Sequence, residues 1–173
     1  MDLIEQINNL FDGFKDDECR AFNGYNKELY PNWNENIENE LALISKNSPI
    51  PLPDDYCEIF RAFGGGAIED ERENYVIPTM TFWTWNDINE FIESEAENFF
   101  EDCPNALPFG DDGGDIVYFL MKKRGKIGIY MADKGDVIEP ESSCKIANSF
   151  TELFTNSKLQ QKFRDHYEFG YDE

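Results

Sequence analysis

The sequence predicts a domain in which helices are combined with antiparallel strands. Residues 116–121 form a continuous apolar run, rich in β-branched and aromatic side chains, that is too short for a buried helix and typical of a strand covered on both faces. In residues 127–131 apolar side chains recur at every second position, which indicates a second strand. The polar link at 122–126 contains Gly125, which tolerates a positive φ angle, so the two strands are predicted to close as an antiparallel hairpin. With 173 residues, the chain is long enough for one domain and not comfortably for two.

Apolar side chains spaced three and four residues apart predict four helices ahead of this hairpin. The first extends over residues 2–14. The third begins near Pro53 and stops at the glycines 64–66, of which at least one is expected to be a left-handed cap. Thr84 and Asp87 have the spacing of a capping box, which predicts the start of the fourth helix. The inward-facing residues are Leu3, Ile4, Ile7, Leu10, Phe11 and Phe14 in the first helix, Ile37, Leu41 and Ile44 in the second, Tyr56, Ile59, Phe60 and Phe63 in the third, and Ile88, Phe91, Ile92 and Phe99 in the fourth.

Shorter elements are predicted on either side of the hairpin. They are an acidic loop at 68–73, short strands at 75–77 and 81–83, a strand around Val137, a helix that starts at a second capping box of Ser149 and Glu152, and a last helix around 159–163. An acidic tail follows the last helix. The chain has no internal repeat and no low-complexity tract that would indicate a linker.

The loop at 110–115, Gly-Asp-Asp-Gly-Gly-Asp, comes directly before the first hairpin strand. Its glycines allow left-handed backbone and its aspartates can accept hydrogen bonds from the backbone two residues on, so a tight turn is predicted. Either Gly113 or Gly114 is expected to have a positive φ angle. The same residues could form a ligand loop, but their spacing lacks the alternating ligands and the terminal glutamate of a calcium-binding EF-hand. The turn and the ligand loop both remain open.

The charge of the chain is strongly negative, with 36 acidic against 15 basic residues and a formal net charge of −21. Direct binding of nucleic acid is disfavoured, because it relies on cationic side chains that release counterions from the phosphates. Anionic membrane surfaces are disfavoured for the same reason of sign. A basic protein partner is favoured, since opposite charge raises the rate of association. The alternative is that the acidity only keeps the protein in solution.

Residues able to support catalysis are scarce. His166 is the single histidine, and no nucleophile signature for serine or cysteine hydrolysis is present. The cysteines lie tens of residues apart without a CxxC pair, which favours reduced thiols over structural zinc or disulfides. We also find no secretory signal and no apolar run of about 20 residues. We therefore expect a cytoplasmic protein that is not an enzyme, with no metal, no cofactor and no membrane association, as a monomer or weak dimer.

Several motifs resemble, in order and spacing, those of the SUKH superfamily, which includes the fungal cell-wall assembly regulator and many bacterial immunity proteins. The motifs are Leu52-Pro53-x-x-Tyr56 with Phe60 and Gly64-Gly65, the loop at 108–115 with the strand after it, and Ile146-Ala147-Asn148-Ser149-Phe150-x-x-Leu153-Phe154. Phe63 stands where the family usually has asparagine before the glycine. The resemblance implies a single α+β domain with a curved, mainly antiparallel sheet and helices packed around it. Its core would span 35–154, with an extra helix at 2–14 and a C-terminal helix and acidic tail at 157–173.

The resemblance implies two functions. Members in bacterial toxin loci bind a cognate toxin, often a nuclease, and the fungal relatives act as regulatory scaffolds. A toxin nuclease must attract a polyanion, so an acidic protein with aromatic anchors can occupy its basic cleft. We therefore expect an immunity protein that neutralises a basic toxin; the alternative is a scaffold domain of the fungal kind. The candidate contact residues are Glu69, Asp70, Glu71, Glu73, Tyr75, Trp83, Trp85, Glu90, Glu93, Glu97, Glu101, Asp111 and Asp112.

Overall fold

A computed structural model describes residues 2–12, 19–21, 33–70, 72–136 and 142–170. The helices in these ranges are α1 Leu3–Asp12, α2 Trp33–Asn47, α3 Asp54–Phe63, α4 Trp85–Glu95, α5 Phe99–Asp102, α6 Phe150–Thr155 and α7 Ser157–Phe169. The strands are β1 Cys19–Ala21, β2 Ala67–Asp70, β3 Met80–Thr81, β4 Ala106–Asp111, β5 Ile116–Lys123, β6 Lys126–Asp133 and β7 Cys144–Ala147. No helix in the described part of the chain is both long enough and apolar enough to cross a membrane.

The strands form two antiparallel sheets, ordered β1-β2-β3 and β4-β5-β6-β7. The sheets meet where the chain after β3 runs beside β4. There the Trp83 N–H donates to the Phe109 carbonyl over 2.8 Å, and the Asp111 N–H donates to Thr81 Oγ1, also over 2.8 Å. A Cβ at Gly110 would lie 1.9 Å from the Thr81 carbonyl oxygen, so only glycine permits this close approach. The predicted α+β class and antiparallel pairing are confirmed.

Strand β5 is an inner strand with both faces covered, as its continuous apolar run predicts. Val117, Phe119 and Met121 pack on one face with residues of α4 and α5. Tyr118 and Leu120 pack on the other face in a larger core that includes residues of α1, α2, α3 and α6. This alternation follows from the two-residue period of a strand.

The turn between β5 and β6 consists of two residues. Arg124 has φ +51° and Gly125 has φ +78°, and two positive φ angles are what a type I′ hairpin turn requires. Lys123 and Lys126 stand opposite each other as the last pair of the ladder. The predicted hairpin is therefore confirmed, with β5 extending two residues and β6 one residue further into the polar link than the apolar pattern alone indicates.

The predicted fourth helix is wrong in its length. It begins at the Thr84–Asp87 capping box as expected, but α4 ends at Glu95. Asn98, with φ +70°, then separates it from the single-turn helix α5. Since left-handed backbone interrupts a right-handed helix, the glutamates from 90 to 101 do not lie on one continuous helical face.

The predicted acidic loop at 68–73 is also wrong, because residues 67–70 form β2. Ile68 and Asp70 are buried in alternation with the half-buried Ala67 and Glu69. The pairing of β2 with β1 and β3 joins residues distant in sequence, which local composition does not reveal. No strand forms at 75–77, and β3 is shorter than the predicted 81–83 segment. The strands β1, β4 and β7 are additional to those that the sequence pattern predicts, and β4 includes residues 108–111 of the predicted loop. The strand expected around Val137 lies outside the described residues.

Candidate functional site

An open groove of about 730 Å³ lies between β2, β3, α4 and the far ends of β4 and β6. We call it the acidic groove. Its lining residues are Gly65, Gly66, Ala67, Glu69, Thr81, Phe82, Trp83, Asp87, Glu90, Phe91, Ser94, Glu95, Asp111 and Lys134. Five of these carry carboxylates and one, Lys134, carries a cation.

Two of the five carboxylates are engaged in holding the groove together. Asp87 accepts hydrogen bonds from the backbone N–H and the hydroxyl of Thr84, both over 2.8 Å, and so caps α4. Asp111 accepts a hydrogen bond from the Thr81 hydroxyl over 2.8 Å and lies 3.5 Å from the Lys134 ammonium. These contacts fix the start of α4 and the junction of the two sheets, which are the walls of the groove.

The other three carboxylates have no cation partner among the side chains that the structure describes, which do not include Arg20, the residue opposite Glu69 in the pairing of β1 with β2. Glu90 accepts one hydrogen bond, from the Asn86 amide over 3.0 Å. Glu69 is half-buried and Glu95 exposed, and neither makes an ion pair or a side-chain hydrogen bond within the described part of the chain. The groove therefore presents three carboxylates without a cation partner among the described side chains.

Aromatic side chains form the apolar part of the groove. The half-buried Trp83 packs against Phe91, with ring centroids 5.1 Å apart. Phe82, fully buried, stacks on Phe109 at 5.9 Å and ties the groove to the main core. An indole supported from behind and flanked by carboxylates can receive a cationic side chain, because the ring face attracts cations.

The groove brings together four of the thirteen candidate contact residues, namely Glu69, Trp83, Glu90 and Asp111. Sequence analysis missed Asp87, Phe91, Ser94 and Glu95 as groove residues. The signal was available, because these positions and Glu90 recur at helical spacing along one face of α4.

The remaining candidates that the structure describes lie outside the acidic groove. Glu73, Glu93, Glu97 and Glu101 are exposed at other positions. Trp85 is half-buried, and its backbone N–H donates to Glu40 over 3.0 Å. Glu71 is outside the described residues.

Asp70 does not have the exposed position expected of a loop carboxylate. It is 8% exposed, forms a bidentate ion pair with Arg72, and accepts a hydrogen bond from the Val76 N–H over 2.9 Å. Burial alone would raise the pKa of Asp70, but the hydrogen bonds from Arg72 and Val76 outweigh it and lower the pKa below its ordinary value. The ion pair with Arg72 and the hydrogen bond from Val76 thus stabilise the segment after β2.

Tyr75 and Asp112 are turned towards α7. The Tyr75 hydroxyl donates to Glu168 over 2.6 Å, and the Tyr167 hydroxyl donates to Asp112 over 2.8 Å. Burial, together with the hydrogen bond to Asp112 and its charge, raises the pKa of Tyr167 to about 12. Asp112 also accepts from the N–H groups of Gly114 and Ile116, so residues 112–115 form an ordered turn. The first two residues of the predicted loop, Gly110 and Asp111, belong instead to β4.

Other reactive groups offer little support for catalysis. Cys57, Cys103 and Cys144 are free thiols, and burial raises the pKa of each, which disfavours the nucleophilic thiolate. Among the described residues no group of three or more His, Cys, Asp or Glu side chains is placed to hold a metal ion.

Comparison with known proteins identifies a family. The model of the SMI1 / KNR4 family (SUKH-1) matches residues 37–156, which is more than half of the chain and contains all of the acidic groove. No curated protein and no solved structure matches the chain.

Proposed function

The chain belongs to the SMI1 / KNR4 family (SUKH-1), and on that basis we propose that it is an immunity protein that binds and neutralises a cognate bacterial toxin. The observation that carries the proposal is the acidic groove, in which three carboxylates without a cation partner among the described side chains lie beside a supported indole. A binding surface of this composition suits a basic protein partner.

The toxin class that fits best is a nuclease. A nuclease must attract phosphates, so its active cleft is basic. Glu69, Glu90 and Glu95 would occupy that cleft in place of the nucleic acid, and the net charge of −21 would accelerate the encounter. The contact would block substrate access without any chemical step.

Trp83 would serve as the anchor of the complex. Its indole is half-buried in the groove and held by Phe91 at 5.1 Å, so it can accept the guanidinium of an arginine without first becoming ordered. Buried aromatic and arginine contacts supply most of the affinity in protein interfaces, so this contact would control the dissociation rate.

We also propose that the protein has no hydrolase, nuclease or transferase activity, acts in the cytoplasm and needs no cofactor. The missing nucleophile signatures and the raised pKa values of the thiols support this part of the proposal. Stoichiometric metal or cofactor in native mass spectrometry, or turnover of nucleic acid by the purified protein, would contradict it.

The test is co-expression with the toxin encoded next to it, with survival of the cells as the readout. We expect the wild type to protect and the variant Glu69→Lys/Glu90→Lys/Glu95→Lys to fail. The matched control is Glu93→Lys/Glu97→Lys/Glu101→Lys, which reverses the charge of three exposed glutamates outside the groove and should protect. Circular dichroism melting of both variants verifies that they fold.

Binding kinetics with the purified toxin then separate the effect of charge on the association rate from the effect of Trp83 on the dissociation rate. We expect association of the wild type to slow steeply as salt rises, because a Debye length of about 10 Å at 0.1 M screens long-range attraction. Trp83→Ala should raise the dissociation rate, whereas Trp85→Ala, outside the groove, should not.

Full protection by the groove variant together with salt-independent association would exclude this mode of action. Binding to a protein that is not a toxin, without protection, would favour the regulatory-scaffold alternative.

A further inference from the structure

The turn between β5 and β6 concentrates positive charge in a strongly acidic chain. We call it the basic tip and define it as Lys122, Lys123, Arg124 and Lys126, all of them exposed. It holds four of the fifteen basic residues within five positions of a chain with a net charge of −21. Such local concentration of the minority charge marks a candidate binding surface.

Three of these four charges have no partner among the described side chains. The Lys123 ammonium lies 4.9 Å from the centroid of the Tyr130 ring, but Lys122, Arg124 and Lys126 make no ion pair and no side-chain hydrogen bond within the described ranges. Lys123 and Lys126 stand directly opposite each other, and like charges in that position destabilise a strand pair. A type I′ turn needs only residues that tolerate positive φ, such as asparagine and glycine. Apart from the contact of Lys123 with Tyr130, the cations therefore have a small energetic cost and no role in the hairpin among the described contacts.

The acidic groove is the complementary surface on the same molecule. It presents Glu69, Glu90 and Glu95 without cation partners among the described residues, so three free carboxylates match the three free cations of the tip. From this match we propose that the protein self-associates head to tail, with the basic tip of one copy seated in the acidic groove of the next.

The geometry excludes contact between the two surfaces within one copy. The groove includes Lys134, directly after the end of β6, whereas the tip lies at the start of the same strand. A strand of this length spans about 25 Å at about 3.3 Å per residue. Tip and groove therefore lie at opposite ends of β6, and the contact is heterologous, leaving a free tip at one end of each assembly and a free groove at the other.

Ionic strength decides whether the local attraction prevails over the repulsion between two acidic molecules. At 0.01 M salt the Debye length is about 30 Å, so the full net charge of each copy opposes association. At 0.15 M it is about 8 Å, and only the surfaces in contact interact strongly. At 1 M it is about 3 Å, and the contact itself is weakened. We expect self-association to be strongest near 0.15 M and weaker at both extremes.

Sedimentation velocity of the full chain over a range of concentrations tests the proposal. At 0.15 M salt we expect the average mass to rise with concentration above the 20.1 kDa of one chain. Lys122→Gln/Arg124→Asn/Lys126→Gln removes three of the four tip charges and keeps Lys123, which contacts Tyr130; asparagine suits the left-handed backbone at 124. Glu69→Gln/Glu90→Gln/Glu95→Gln removes the groove charges. Each variant alone should remain monomeric.

Mixing the two variants gives the decisive measurement. The tip variant keeps an intact groove and the groove variant keeps an intact tip, so the mixture can form one contact and should stop at a dimer of one copy of each. Lys46→Gln/Lys158→Gln/Lys162→Gln is the matched control, since it removes the same charge from exposed lysines elsewhere and should self-associate like the wild type.

A wild type that remains monomeric at every salt concentration overturns the proposal, and so does self-association by either variant alone or a mixture that stays monomeric. A tip that binds an acidic protein while the wild type remains monomeric would assign the surface to that partner instead. The outcome does not depend on the toxin, so self-association can fail while protection by the acidic groove persists. If both hold, the next copy and the toxin compete for the same groove.

Discussion

Gly113 and Gly114 are neighbours in the turn between β4 and β5 but differ in backbone conformation. Gly113 has φ +81° and open space where a Cβ would stand, whereas Gly114 does not have a positive φ angle. Valine at 113 should therefore cost more than about 1 kcal/mol of unfolding free energy through backbone strain alone. Chemical denaturation of Gly113→Val and Gly114→Val measures the difference. Equal stability of the two variants would show that the turn does not require left-handed backbone.

Asp70 links stability to pH. Because its pKa is lowered in the folded state, the carboxylate stabilises the fold above its unfolded pKa of about 3.9, and the contribution disappears as pH falls through the folded pKa. Asp70→Asn should cost roughly 2 kcal/mol at pH 7, since Arg72 loses its charged partner. The difference from wild type should shrink below about pH 3.9. Urea denaturation at several pH values measures it, with Glu69→Gln as the neighbouring control that should have little effect.

Tyr56 and Tyr118 are both fully buried, but their hydroxyl groups differ. The Tyr118 hydroxyl donates to the Thr79 carbonyl over 3.0 Å, whereas that of Tyr56 has no hydrogen-bond partner among the residues described. Removing an unpartnered buried hydroxyl should be neutral or should stabilise by about 1 kcal/mol, and removing a bonded one should destabilise by about 1 kcal/mol. Thermal melting of Tyr56→Phe and Tyr118→Phe tests this contrast. A clear loss of stability in Tyr56→Phe would reveal a partner for its hydroxyl.

At the scale of elements, α7 fastens the segment that leads from β2 to β3. The Arg164 guanidinium donates to the carbonyls of Tyr75 and Val76 over 2.9 and 2.7 Å. Arg164→Ala leaves both carbonyls without this donor and should cost about 1–2 kcal/mol. Lys162→Ala removes an exposed cation from the same helix and should be nearly neutral. Denaturation curves compare the two variants, and equal effects would mean that α7 contributes only its apolar face.

The elements that sequence analysis predicts well are those specified by short-range patterns. The stripes of α1, α2 and α3 and the two strands of the hairpin repeat at the period of their own backbone. Segment β2 resembles a loop in sequence, because its acidic composition conceals that Ile68 and Asp70 face inward and that its partners are distant in sequence. The same limit applies to the candidate site. Individual acidic residues can be found from the sequence, but their assembly around Trp83 depends on α4 packing beside β4 with β2 across the groove, which no local pattern encodes.

At the scale of the whole molecule, the net charge of −21 opposes compactness. Repulsion among carboxylates is screened by salt, so the melting temperature should rise as sodium chloride increases from about 0.01 to 0.2 M. Differential scanning calorimetry at low protein concentration measures the rise. The variant Glu93→Gln/Glu97→Gln/Glu101→Gln carries less charge and should show a smaller rise. A melting temperature that does not change with salt would indicate that the acidic and basic surfaces already compensate each other.

The stretch shared with the family begins at 37 and ends at 156, yet Ile7 and Phe11 before it and Phe163 after it are buried in the core. The segment that matches the family is therefore shorter than the segment that contributes to the buried core. A relative that lacked counterparts of α1 and α7 would need other apolar side chains at those places. A fragment of residues 37–156 would lack α1 and α7. It would therefore expose the faces of α3, α6 and β7 that these two helices cover, and we expect it to aggregate.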